Sequence, residues 1–104
     1  METDPTIWKE FIDFIRDFPR FSIITRKELI AYFDRPSTLN PGINTIDSYR
    51  NFLTQANFLE WIGRGQYRLR YMPQKDLTLA GCRERAYPGY IEREKKRKRL
   101  YRNY

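Results

Sequence analysis

The stretch FLEWIGRGQYRLRYMP, residues 58–73, carries Arg64, Arg68 and Arg70 with no acid after Glu60. A guanidinium presents a fixed fork of N–H donors that matches a phosphate edge, so arginines gathered on one short segment suit a polyanion. Gln66 lies among them and joins the candidate contacts. The bland account of the same residues is an edge strand kept soluble by its charges. Catalysis has less material. The chain has no histidine, which removes the commonest general base, the commonest zinc ligand and any His-based triad. Its lone Cys82 excludes an internal disulfide and any multi-thiolate metal site. Carboxylates and tyrosines are present, but no spacing singles out a pair. The expectation is therefore a binding protein and not an enzyme, with no metal and no cofactor.

A second candidate set lies upstream, in NTIDSYRNFLTQAN. Read as a helix from an Asn44/Thr45 cap to about Ala56, with Asn57 closing it in the left-handed conformation, it puts Ile46, Tyr49, Leu53 and Ala56 on one face. Asp47, Ser48, Asn51, Thr54 and Gln55 then face outward, Arg50 stands at the flank, and the cap residue Thr45 joins the candidate contacts. Asn and Gln bond adenine bidentately, Arg does so with guanine, and Ser or Thr serves bases or phosphates. Most polar helix faces simply meet water, and Asp47 repels phosphate, so this face does not name a ligand by itself.

The third set is the basic run Lys95, Lys96, Arg97, Lys98 and Arg99. It suits an arm for nucleic acid, and in a eukaryote it reads equally as a nuclear import signal. Tyr87, Tyr90, Tyr101 and Tyr104 are interleaved with the charges and can stack on unpaired bases, which keeps RNA open. The net charge of +7 is uneven. Residues 1–73 hold 10 Lys+Arg against 9 Asp+Glu, while residues 74–104 hold 10 against 4. A near-neutral domain followed by a basic segment reads as a folded reader with an electrostatic arm. The division expected is a domain at 1–73 and a basic, tyrosine-containing tail at 74–104.

The elements that must position these residues follow from hydrophobic spacing. Ile7, Trp8, Phe11, Ile12, Phe14, Ile15 and Phe18 share one helical arc after the Asp4-Pro5-Thr6 start, and Pro19 stops the helix. FSIIT is β-prone. Its Thr25 opens TRKE, a capping box with Glu28, and launches the helix RKELIAYF. Arg26 and Lys27 lie in its first turn, either as phosphate contacts or as solvated charges. DRPSTLNPGIN reads as a long loop. Residues 58–72 make a hairpin in which alternation sets the faces of Leu59, Trp61, Tyr67, Leu69 and Tyr71, puts Arg68 and Arg70 on one side, and turns through Gly63 and Gly65 with Arg64 at the tip. LTLAGCRERAYPGY holds enough apolar residues to pack back on the domain. IEREKKRKRLYRNY has Glu92 and Glu94 four residues ahead of Lys96 and Lys98, which allows a helix with no apolar stripe. No apolar run reaches the roughly 20 residues needed to span a bilayer.

The order helix, short strand, helix, loop, helix, strand, glycine-arginine turn, strand resembles the winged-helix family over residues 6–72. TIDSYRNFLTQANFLEW, GRGQYRLR and DLTL also look like small winged-helix proteins of bacteriophages and mobile elements. The resemblance implies an α+β fold of three helices and a small antiparallel β-hairpin wing, here with a basic C-terminal extension. It also implies a reading helix at 45–56 in the major groove and a wing at 63–70 on backbone or minor groove. The loop at 34–44 exceeds a tight helix-turn-helix turn, a departure from the simplest version of that motif. Double-stranded DNA is the first partner implied, in a small transcriptional regulator, with no membrane and room for a homodimer. The alternative is a protein-docking or RNA-binding subunit of a ribonucleoprotein or phage assembly complex. The expected compartment is the cytoplasm of a prokaryotic or phage-infected cell, or the nucleus in a eukaryote.

Overall fold

The computed structural model describes residues 5–34 and 41–102. Among them the chain is α+β, with five helices and a three-stranded antiparallel sheet. Helix α1 spans Pro5–Arg16, the proline supplying a helical φ at the first turn. It ends sooner than Phe18, whose N–H bonds back to Ile15 in a closing turn. Its inner face buries Trp8, Phe11, Ile12 and Ile15. Two of its side chains also fasten the segment that follows the hairpin: Trp8 Nε1 donates to the Leu77 carbonyl at 2.7 Å, and Arg16 donates to that of Pro73 at 2.5 Å.

Strand β1, Ile23–Thr25, runs directly into α2, Arg26–Phe33. The capping box is present: Thr25 Oγ1 accepts from the Glu28 amide and the Glu28 carboxylate accepts from the Thr25 amide, both at 3.1 Å. These bonds satisfy N–H groups that the first helical turn leaves without a partner. Leu29 and Phe33 point into the core.

The third helix begins earlier than the Asn44/Thr45 cap implied. Helix α3 is Ile43–Gln55, capped by Gly42 in an extended conformation. The Gly42 carbonyl accepts from Thr45 at 3.0 Å and Ile46 at 3.3 Å, which draws Thr45 into the first turn. The other end is as expected, with Asn57 at φ 70°. Phe58 N–H then reaches the Leu53 carbonyl at 2.9 Å, the long backward bond of a left-handed helix stop.

The hairpin is β2, Leu59–Gly63, and β3, Gln66–Leu69. It is not a free two-stranded wing, because β1 pairs with β3 as well, giving the order β1-β3-β2. Ile24 faces Tyr67, and Leu59 faces Leu69. Only Gly65 takes a positive φ at the turn, 69°; Gly63 instead closes β2 past an irregularity at Trp61/Gly63. Trp61 stands opposite Tyr67 in register yet is 62% exposed. It sits on an edge strand beyond the cover that buries Tyr67.

Past the hairpin lie two helices, α4 at Leu79–Ala86 and α5 at Tyr90–Arg102. Thr78 caps α4 by accepting from the Gly81 amide at 3.0 Å. Cys82 is fully buried in the same core as α1, α2 and α3, so this part of the tail does pack back. The core is dense in rings: Trp8 and Phe11 both meet Tyr49 edge-on, and Phe11 stacks on Phe33. Edge-to-face contacts of this kind add to the burial of apolar area.

Candidate nucleic-acid interface

Helix α3 presents a stripe of four exposed side chains, Asn44, Ser48, Asn51 and Gln55. At about 3.6 residues per turn these positions fall in one narrow arc. The core-facing arc of the same helix is filled by Ile46, Tyr49 and Leu53. The stripe is therefore uncharged, hydrogen-bonding and held on a rigid element. Thr45 lies half-buried beside it in the first turn. Thr54 turns back instead, its hydroxyl donating to the Arg50 carbonyl at 2.8 Å.

Arg50 is not available as a base reader at the flank. Its Nη1 donates to Asp47 Oδ1 at 2.7 Å, and its guanidinium lies 5.0 Å from the centre of the Tyr67 ring. Asp47 also takes a two-pronged bond from Arg26 of α2, Nε to Oδ1 at 2.9 Å and Nη2 to Oδ2 at 3.1 Å. The hydrogen bond from Arg26 first, and the charge of Arg50 with it, hold the Asp47 carboxyl below its ordinary range against some desolvation. The repulsion expected from Asp47 is thus cancelled locally. Two arginines against one carboxylate leave this flank positive. The pairing was half legible: Asp47 and Arg50 are one turn apart, whereas Arg26 lies 21 residues away and only the fold brings it in.

The β2–β3 turn rests on α2. The Arg26 amide donates to the Gly65 carbonyl at 2.9 Å, and an open groove of about 450 Å³ lies there, lined by Arg26, Lys27, Arg64 and Gln66 among others. Arg64 and Gln66 are exposed, and Arg64 makes no ion pair among the described residues. The groove thus sets Lys27, Arg64 and the α2 amino end around one concavity, where partial positive charge from the helix adds to the side chains.

Arg68 and Arg70 part company. Arg68 is exposed on β3 with a loose 3.5 Å contact to Glu60, its cross-strand partner. Arg70 lies past the strand end and is half-buried. Its N–H bonds to the Phe58 carbonyl at 2.8 Å, and its guanidinium approaches the Tyr71 ring. The strand stops before Arg70, which breaks the alternation that put the two arginines side by side.

The other flank of α3 meets α4. Arg83 lies 4.9 Å from the Phe52 ring centre, Arg85 lies 4.4 Å from that of Phe58, and Arg85 Nε donates to the Ala56 carbonyl at 3.2 Å. These arginines carried no signal in sequence beyond their charge. Glu84 then joins α4 to α5 by accepting from the Gly89 and Ile91 amides, and those bonds keep its carboxyl below the usual value. On α5, Lys95, Lys96 and Arg97 are exposed, Arg97 pairing with Glu94 at 2.6 Å. Lys98 and Arg99 continue the helix, but their side chains lie outside the described residues.

No family model, curated protein or solved structure matches this chain. The site's meaning rests on its own geometry. Among the described residues no cluster of His, Cys, Asp and Glu can hold a metal, and no helix is long and apolar enough to cross a membrane.

Proposed function

We propose that the chain is a winged-helix DNA-binding protein, a small regulator that acts by occupying duplex DNA. The observation that carries the reading is the uncharged stripe of Asn44, Ser48, Asn51 and Gln55 on α3, bordered by arginines on both flanks. Side chains that can choose a base occupy the centre, and positive charge, partly paired with Asp47, occupies the border. That division of labour suits duplex recognition, since phosphate contacts position a protein and base contacts specify its sequence. The antiparallel hairpin after α3, with Arg64 at its turn, supports the wing assignment. The exposed Lys95, Lys96 and Arg97 of α5 add sequence-independent attraction.

A randomised duplex pool, followed by titration of the selected site at several salt concentrations, tests the reading. Asn51→Ala and Gln55→Ala should each reduce discrimination between sites, by about 1–3 kcal/mol where the residue makes a bidentate base contact. Their non-specific affinity should barely move. Arg64→Ala with Arg68→Ala should weaken binding to all duplexes and lower the log–log salt slope by up to about two phosphates' worth. A parent protein that selects no sequence, or that prefers folded RNA to every duplex, would reject a regulator that reads DNA.

A further inference from the structure

Arg20, Phe21, Arg70 and Tyr71 gather at the end of the sheet opposite the β2–β3 turn, on the strand-entry side of β1 and just past β3. Phe21 is 60% exposed and Tyr71 44% exposed. Arg20 lies between them, its guanidinium carbon 4.5 Å from the Phe21 ring centre and 5.3 Å from that of Tyr71. Its Nε donates to the Arg70 carbonyl at 2.7 Å, which fixes the fork, and among the described residues neither Nη group has a hydrogen-bond partner. Neither Arg20 nor Arg70 has a carboxylate partner among the described residues.

Phe21 also has an unusual backbone. Its φ is 72°, a conformation that glycine adopts freely and a bulky side chain rarely does. Two backbone bonds impose it, Phe21 N–H to the Leu69 carbonyl at 2.7 Å and Leu69 N–H to the Ser22 carbonyl at 2.9 Å. Burial does not explain a phenylalanine there, because the ring is mostly in solvent. A strained position that spends a large apolar ring on the surface points to a contact outside the chain.

We infer that this cluster is a second nucleic-acid site, a stacking platform for unpaired bases. The exposed rings offer surfaces on which bases stack whatever their sequence, and the Arg20 guanidinium, held by its bond to the Arg70 carbonyl, offers a phosphate contact beside them with Arg70 next to it. Charge favours nucleic acid over a protein occupant: residues 61–75 contain no acid, and the chain is +7 overall. The platform lies roughly 15–20 Å along the hairpin from the Gly65 turn, at about 3.3 Å per residue. It therefore serves a separate strand segment, and it stands whether or not α3 reads duplex DNA.

The test compares a labelled oligothymidylate with a duplex of equal length, using the full chain. Phe21→Gly removes the ring while suiting the backbone, so its melting temperature should equal or exceed the parent's. It and Tyr71→Leu should each weaken single-strand binding by about 5- to 150-fold for each base left unstacked, with the salt slope unchanged because no charge is removed. Phe21→Tyr and Tyr71→Phe keep a ring and should keep the affinity. Duplex affinity should hold in all four variants. Single-strand affinity at the parent level in both ring-removing variants, or an equal loss on duplex and single strand, overturns the platform. Ultraviolet crosslinking of the oligothymidylate to the parent gives an independent reading: adducts at Phe21 or Tyr71 support the site, and adducts confined to α3 or α5 overturn it. Arg64→Ala reports on the duplex reading alone. An unchanged duplex affinity in that variant removes the wing from the duplex interface and leaves the platform standing.

Discussion

Asp47 shows how one carboxylate settles several side chains at once. It orients Arg26 in two bonds and Arg50 in one, and the β2–β3 turn is held by the amide of the same Arg26. Its depressed pKa means that the pairing stabilises the fold at neutral pH. That contribution is present above the ordinary Asp value of 3.8 and fades as pH falls through the lower folded-state value. Asp47→Asn should therefore be less stable than the parent at neutral pH, and the gap should narrow as the pH is taken below about 4. The loss should be modest, because partly exposed pairs contribute little. The same variant frees two guanidiniums beside the α3 stripe. It should bind duplex DNA more tightly but less selectively, with a salt slope steeper by about 0.9 for each additional phosphate engaged. Denaturant melts across pH and salt-titrated binding measure the two effects. A variant whose stability deficit does not shrink in acid would show that Asp47 acts through something other than its charge.

Among the elements, α4 decides how α3 is presented. Its cap at Thr78 and its buried Cys82 seat it on the core, and Arg83 and Arg85 lie over Phe52 and Phe58 near the end of α3. Burial pushes the Cys82 thiol up to about 12 despite the opposing charges of Arg85 and Arg83. Thiolate is the reactive form, so native Cys82 should resist a thiol reagent at neutral pH and react only as the protein opens. Labelling across a urea series should follow the unfolding curve. Fast labelling of the native protein would mean that α4 leaves the core on its own. The capping box, the amphipathic α1 and the Asn57 stop were legible because each depends on neighbours within a few residues. The Gly42 start of α3 was hidden, since a backbone carbonyl and not a capping side chain holds it.

The whole molecule divides its charge much as the sequence does, although the tail is helical. Deleting residues 92–104 removes seven Lys+Arg and two Glu, taking the net charge from +7 to +2, and it leaves the Glu84 bonds to Gly89 and Ile91 in place. The truncated chain should melt close to the parent, because Cys82 and the rest of the core are kept. Its DNA affinity should fall and its salt slope flatten by about 0.9 for each phosphate no longer neutralised, while its preferred site stays the same. A changed preference, read from the same randomised duplex pool, would place base recognition on α5.

Periodicity and composition alone determined that α1, α2, α3 and the hairpin form, which face of α1 and α3 is apolar, and where the positive charge concentrates, whereas helix α4 and the end of β3 at Leu69 were not legible in them. The legible features are local properties, set by side-chain spacing and by bonds between residues a few positions apart. Tertiary structure decided which charges are free. Arg50 and Arg64 are the same residue type, yet Arg50 lies against Asp47 and Tyr67 while Arg64 is exposed at the β2–β3 turn. It also decided that Arg68 and Arg70 separate, that Trp61 is outside, and that Phe21 meets Tyr71 through Arg20. Each of these depends on residues far apart in the chain, whose proximity is fixed only when the sheet closes and the helices pack on it.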